Sequence, residues 1–413
     1  MTEMDAQVGE MLRELEEAGL ADDTIVMYYG DHGVGLPRSK RSPYNSGLRV
    51  PLIVHVPEKY RDLCPTDFVK GGASDRLVSF VDLAPTLLML AGIEAPKIMQ
   101  GQPFLGGKDL PEKDYMFGMR GRMDERPDMI RVVRDKRYLY MKNFMPHRPH
   151  GQFVEYMFQT PSTRAWYDLY QDGKLEGAQA YFWERRDSEE LYDLEHDPDE
   201  VRNLAGEPEH RERLDRMRDE LKRWQVETRD VVLIPEPDYH TVYGGRIMHD
   251  VGKDELEYPL ELIQDTAFLA TAEKFDRRTL GLLEHENSMM RYWGVTGLLY
   301  HAESVKEIPI VRLRKLLEDH SPSVRVASAE LLGKYGAEAD VELALETLVA
   351  LSDVREHHVT VAVFALNALD ALGEIAAPVK DAMAELPNNT DDVPQRYRAF
   401  VGDLKEKIAS NFE

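Results

Sequence analysis

The chain has 413 residues, 43% of them hydrophobic and 31% charged, with a formal net charge of −24. That is the composition of a folded protein of two or three domains, and so acidic a balance excludes nucleic acid as an expected partner. A single cysteine, Cys64, rules out an internal disulfide framework, and no apolar run reads as a membrane span, so no membrane partner is expected.

Residues 3–19 read as an amphipathic helix. Met4, Val8, Met11, Leu12 and Leu15 recur at spacings of three and four, and Gly19 provides a stop. This acidic N-terminus is unlike a signal peptide. A buried strand is predicted over 24–29 and a second over 51–56. Between them lie Asp31-His32-Gly33, the basic run Pro37-Arg38-Ser39-Lys40-Arg41, and then Tyr44, Gly47 and Arg49. Asp31 is a hard oxygen donor that suits calcium or magnesium, and His32 suits zinc or manganese equally. Both sit at the carboxyl end of a strand, where open α/β sheets place their ligands. Lys40, flanked by Arg38 and Arg41, is suited to a bound anion.

Residues 75–91 read as an apolar helix interrupted by Pro85. Short strands are predicted over 115–119, 129–134 and 137–142, with another at Leu191-Tyr192-Asp193-Leu194 before the turn Asp197-Pro198-Asp199-Glu200. A charged helix over 207–228 carries Leu214, Met217, Leu221 and Trp224 on one face. Within this part, Arg120, Arg122 and Asp124 form a dense guanidinium–carboxylate group suited to sulfated or carboxylated sugars, or to ordering a loop. His147 and His150 fall on a long irregular loop.

Pro235-Glu236-Pro237 marks a boundary. Beyond it the sequence is Ala/Leu-rich and helical, with segments at Arg291, Val324 and Val359 recurring about 34 to 36 residues apart. Ser321-Pro322-Ser323-Val324-Arg325 and the helix after it resemble a HEAT-type repeat. An ordinary helical bundle is the alternative.

The order strand, Asp31-His32-Gly33, then Lys40, Tyr44, Gly47, Arg49 and Pro51 at fixed intervals resembles the middle of a type I sulfatase of the alkaline-phosphatase superfamily. Val81–Thr86 with Ala91-Gly92-Ile93, and the 191–204 pattern, are similar to later parts of the same family. The resemblance implies an α/β fold in three parts: the C-terminal part of a sulfatase catalytic α/β domain (1–110), an antiparallel α+β subdomain (111–235), and the HEAT-like helical region (245–413). The two N-terminal strands are expected to lie in a larger parallel sheet.

The resemblance further implies Asp31 and His32 as ligands of Ca2+ or another divalent metal and Lys40 as the catalytic contact to sulfate; the guanidinium–carboxylate group and the long loop make Arg120, Arg122, Asp124 and His147 the candidate substrate contacts. The substrate is expected to be a sulfated carbohydrate, cleaved at a sulfate ester or sulfamate, and the compartment periplasmic or extracellular. The family's nucleophile is a formylglycine made from Cys/Ser-x-Pro-x-Arg, and Cys64-Pro65-Thr66 does not fit that pattern. The chain is therefore expected to be a sulfatase fragment, inactive alone. The other readings are a phosphonate or phosphodiester hydrolase of the same superfamily, and a non-catalytic HEAT-like protein that binds a protein partner through its helices.

Overall fold

The structure, a computed structural model, describes residues 1–412. The chain begins with a helix, Thr2–Glu17, followed by strands β1 (Val26–Tyr29) and β2 (Leu52–His55). These two strands pair with each other antiparallel, Val26 opposite His55 and Tyr29 opposite Leu52. The parallel arrangement expected for them is corrected. A parallel pair needs a crossover that carries the chain back to its starting edge. The connection here turns through a loop with one short helical turn, Asn45–Leu48, and returns directly.

The helix expected over 75–91 is also shorter, Leu83–Leu90. Ser79 and Asp82 form a capping box, the Ser79 amide donating to Asp82 Oδ2 at 2.8 Å. Pro85 thus falls in the first turn of the helix, where its missing N–H costs nothing, and it interrupts nothing. The first helix buries none of its residues. Met11 on that helix, Ile53 on β2 and Leu87 on the third helix are 67%, 61% and 56% exposed.

A second, four-stranded sheet is antiparallel throughout, in the order β3 (Met116–Arg120), β4 (Ile130–Arg134), β5 (Tyr138–Asn143), β6 (Glu189–Asp193). Every residue of β5 is buried, because both faces of the sheet are covered. On one face Val133, Tyr138, Tyr140 and Leu191 pack against Leu214, Met217 and Leu221 of the helix Arg211–Thr228. On the other, Ile130, Val132, Leu139, Met141 and Tyr192 close over Tyr44. Two adjacent glutamates of β6 follow the same alternation. Glu189 takes a two-pronged contact from Arg218 of the helix, at 2.7 and 2.9 Å. Glu190 faces the Tyr44 side, where Tyr192 and Asn143 each donate to it at 2.6 Å.

From Glu236 onward the described chain is helical. The helices Ser288–His301, Pro322–Tyr335, Val359–Leu372 and Phe400–Ser410 pack each on the next, and their Leu, Val and Ala side chains form one core with Phe144 and Met145 of the sheet part. Trp293 is fully buried there and donates its indole N–H to Leu233 O at 3.2 Å. The helical run 359–385 is long and apolar enough to cross a membrane, contrary to the expectation from sequence. Yet 72% of its most apolar window is buried inside the protein, so its apolarity is that of a central core helix.

The helical part is fastened to the sheet part by buried ion pairs. Arg126 reaches Asn367 Oδ1 at 2.9 Å and Asp370 Oδ2 at 2.7 Å, and Asn367 Nδ2 donates to Glu125 O at 2.8 Å. Arg148 is bound to the buried Glu330. Removing one member of a buried pair strands its partner. Arg126→Ala is expected to cost about 2–4 kcal/mol, read as a lowered urea midpoint, with cleavage by a dilute protease rising at the 359–372 helix.

Candidate active-site loop

The loop between β1 and β2 is held by its own backbone. Gly33 N donates to Gly47 O at 3.1 Å and Lys40 N to Val34 O at 3.0 Å. Ser39 Oγ donates to Ser46 O at 2.8 Å and Ser46 Oγ to Arg38 O at 2.7 Å. These contacts explain the two glycines of the spaced motif. A Cβ on Gly33 would lie 2.0 Å from Ser46 O, and one on Gly47 would lie 2.1 Å from Ser42 O. Only glycine lets the two strands of the loop approach so closely.

Asp31 and His32 emerge from β1 side by side and exposed, with Asp31 Oδ2 3.3 Å from His32 Nε2. His32 Nδ1 is 2.7 Å from Gly33 O. A carbonyl oxygen only accepts, so Nδ1 carries the hydrogen. That leaves two electron-pair donors, Nε2 and the carboxylate, facing one another, an arrangement satisfied by a proton or a cation between them. The donors fit a divalent ion as two members of its ligand set, and a backbone-held second imidazole nitrogen is the usual support of a metal-bound histidine. Calcium takes about six to eight oxygen ligands, so these two residues could supply only part of such a ligand set.

The three cations of the loop have different fates. Arg38 donates to Asp199 O and Glu200 O, each at 2.5 Å, and its guanidinium stacks 4.0 Å from the centroid of the Tyr44 ring. Arg41 pairs with Asp124, Nε to Oδ2 at 2.7 Å. Lys40 forms no ion pair among the described residues. Its ammonium lies 5.2 Å from the centroid of the Tyr156 ring. Arg38 and Arg41 both adopt left-handed backbone, φ 62° and 72°, which non-glycine residues rarely do. Their side-chain bonds to the second part of the chain offset that strain.

Tyr44 anchors the loop. It is fully buried, its ring 5.2 Å from His150 and 6.1 Å from Tyr192, with its hydroxyl 3.4 Å from Glu190 Oε2. Burial, then the neighbouring Glu190, pushes the phenol well above its ordinary pKa. Burial works against ionised Glu190, but His150, Tyr192 and Asn143 outweigh it and hold the carboxyl down at about 2. Glu200 accepts the Asn45 amide on both carboxylate oxygens, at 3.0 and 2.9 Å. Burial pushes its carboxyl up to about 7, against the pull of that amide and of Arg38.

The residues expected to touch substrate have other partners. Arg120 is buried against Asp128 at 3.2 Å, which Arg186 also holds. Arg122 pairs with Glu236 at 2.6 Å and lies over the rings of Tyr397 and Phe400. Asp124 holds Arg41 and keeps a third of its side chain exposed. His147 is half-buried beside Arg148, and burial keeps it well below its ordinary pKa and so neutral. His150, expected on a solvated loop, is buried 2.8 Å from Glu190. Tyr156, Glu190 and Glu200 were not legible as site residues. Asp197-Pro198-Asp199-Glu200 reads from sequence only as a turn.

One further cluster, Asp193, Glu195 and His196, has metal-like spacing. The Arg137 guanidinium occupies it, 2.5 Å from Asp193, 3.3 Å from Glu195 and 3.2 Å from His196. It is an ion-pair knot.

Comparison with known proteins agrees with this loop. The sulfatase family model matches residues 1–93. Over that span the sequence is similar to sulfatases. An ulvan-active sulfatase of Formosa agariphila is 40% identical over 57% of this chain and 38% of its own length. Human N-sulphoglucosamine sulphohydrolase is 30% identical over 55% of this chain and 46% of its own. A solved sulfatase structure from Bacteroides thetaiotaomicron has 23% identity and a TM-score of 0.40 over 57% of this chain and 42% of that one, too low a likeness to place any residue. The chain thus spans about two fifths of the length of the curated sulfatases it matches.

Glu200 gives this loop a pH dependence. Its carboxyl titrates near 7 when folded and near 4.3 when unfolded, so the folded state keeps a proton that the unfolded chain has lost between those values. The stability associated with that proton is full below about pH 4.3 and is lost as pH rises to about 7. Glu200→Gln keeps an acceptor for Asn45 without the charge. Urea unfolding is expected to show the variant more stable than the parent by about 2 kcal/mol at pH 8, the difference vanishing toward pH 4.5.

Proposed function

We propose that this chain forms part of a sulfatase that removes sulfate, from an ester or a sulfamate, on a carbohydrate. Asp31 and His32 are metal ligands on this reading, and Lys40 holds a sulfate oxygen and offsets charge on the departing group. The observation that carries it is the division of the loop's cations. Within the segment matched by the sulfatase family, Lys40 alone of three neighbouring cations has neither an ion pair nor a side-chain hydrogen bond among the described residues, on the loop that opens from Asp31 and His32. The sulfatase identity of the relatives supports the choice of sulfate over another anion, and the substrates in their names support a sugar.

The bound metal would supply a Lewis acid beside the sulfate. The chain's own contribution is to orient the ester: Lys40 donates to the sulfate, while Tyr44, Arg38 and Glu200 fix the loop that carries it. Arg120, committed to Asp128 inside the sheet part, and Arg122, committed to Glu236 at the joint with the helical part, hold the fold rather than substrate on this reading. The 413 residues contain no Cys/Ser-x-Pro-x-Arg, so on this reading the nucleophile comes from outside them.

Calorimetric titration with calcium is expected to show a site that Asp31→Ala removes and Lys40→Ala leaves intact. Retention of calcium binding by Asp31→Ala would end the metal assignment. The unaltered chain is expected to give no turnover of a chromogenic aryl sulfate above the blank. Turnover lost in Lys40→Ala would confirm the role of Lys40 and refute the outside nucleophile.

A further inference from the structure

We propose that Tyr156 is the stacking platform for the sugar ring that carries the sulfate, with the Arg41–Asp124 pair packed against the tyrosine ring and reading the sugar's hydroxyls. The inference rests on Lys40 as the sulfate contact and extends it to the neighbouring subsite. Three segments distant in sequence meet here: Lys40 and Arg41 from the loop after β1, Asp124 from the β3–β4 connection, and Tyr156 from the short helix Glu155–Phe158.

The geometry is that of a built surface. The Glu155 amide donates to the buried Glu125 carboxylate at 2.7 Å, which fixes the start of the helical turn. Phe158 at its end is buried, its ring 4.2 Å from Phe153 and 5.2 Å from Tyr167. Tyr156, between these anchors, turns outward and is 55% exposed. An exposed aromatic ring on a turn pinned at both ends offers a rigid apolar face at little entropic cost on binding. The Lys40 ammonium lies 5.2 Å and the Arg41 guanidinium 4.6 Å from the ring centroid.

Arg41 is not free to neutralise an anion, because Asp124 holds it at 2.5 Å. The pair instead presents N–H donors and a carboxylate acceptor beside the ring. One ammonium without an ion pair, one half-exposed aromatic ring and one neutralised donor–acceptor pair match the chemistry of a monosulfated pyranose: a sulfate, an apolar C–H face, and hydroxyls that both donate and accept. A simple phosphate or sulfate ion would use only the first of the three.

The test is calorimetric titration of the full chain, in calcium buffer, with D-glucose 6-sulfate and separately with inorganic sulfate. Tyr156→Ala is expected to weaken the sulfated sugar about tenfold and to leave inorganic sulfate unchanged. Tyr156→Phe and Tyr156→Trp should keep the parent affinity, since the ring and not the hydroxyl is used. Lys40→Ala should weaken both ligands. If Tyr156→Ala weakens both ligands equally, Tyr156 only props Lys40 and the platform is refuted. If it changes neither while Lys40→Ala weakens both, the platform is refuted and the sulfate assignment stands. If Lys40→Ala changes neither, the sulfate assignment itself fails. An unaltered chain that binds neither ligand overturns the proposal.

Discussion

Burial of Tyr44 against the four-stranded sheet is the contact on which the arrangement depends. It inserts a residue of the first sulfatase-like segment into the core of the second, where Ile130, Val132, Leu139, Met141 and Tyr192 surround it. A fully buried aromatic side chain of this kind is worth about 2–3 kcal/mol, and its hydroxyl is met by Glu190. Because Tyr44 lies four residues from Lys40, fixing the one confines the other. The loop's internal hydrogen bonds set its shape, and the surface it docks on sets its place.

The same docking sorts the charges. Three cations within four residues would repel one another and, exposed, would each be hydrated and mobile. Arg38 is drawn to backbone oxygens of the 199–200 turn and Arg41 to Asp124. Both use the planar guanidinium fork, which can hold two acceptors at once. Lys40, a single point charge on a flexible stem, remains. An ammonium left without a carboxylate beside two satisfied guanidiniums is a local excess of positive charge in an otherwise strongly acidic protein, suited to an anionic group.

The helical part is continuous with this arrangement. Glu125 receives the Glu155 amide, its own carbonyl accepts from Asn367, and the adjacent Arg126 holds Asp370. One short connection, 120–126, therefore touches the loop of the site, the segment bearing Tyr156 and the long core helix Val359–Leu372. Arg122 and Arg126 are spent on joining the parts and Arg120 on Asp128 within the sheet part, which is why so dense a group of arginines offers so little free positive charge.

The sequence alone determined the local elements and the residue types that the first segment offers for chemistry. Periodicity located the two N-terminal strands, the antiparallel strands, the helix now bounded by Arg211–Thr228 and the helical remainder. The order Asp31, His32, Lys40, Tyr44, Gly47 marked a metal- and anion-competent loop, because those properties reside in residue type and short spacing. Pairing direction, capping and the partners of charged groups were decided only by the tertiary structure. The two N-terminal strands could be read but not their antiparallel return, since direction depends on the path between them. Arg120, Arg122 and Asp124 could be seen as a charged group, but their carboxylate or guanidinium partners lie from 8 to 114 positions away in the chain. Tyr156 gave no sign at all, because an exposed tyrosine acquires meaning only from what folding places beside it.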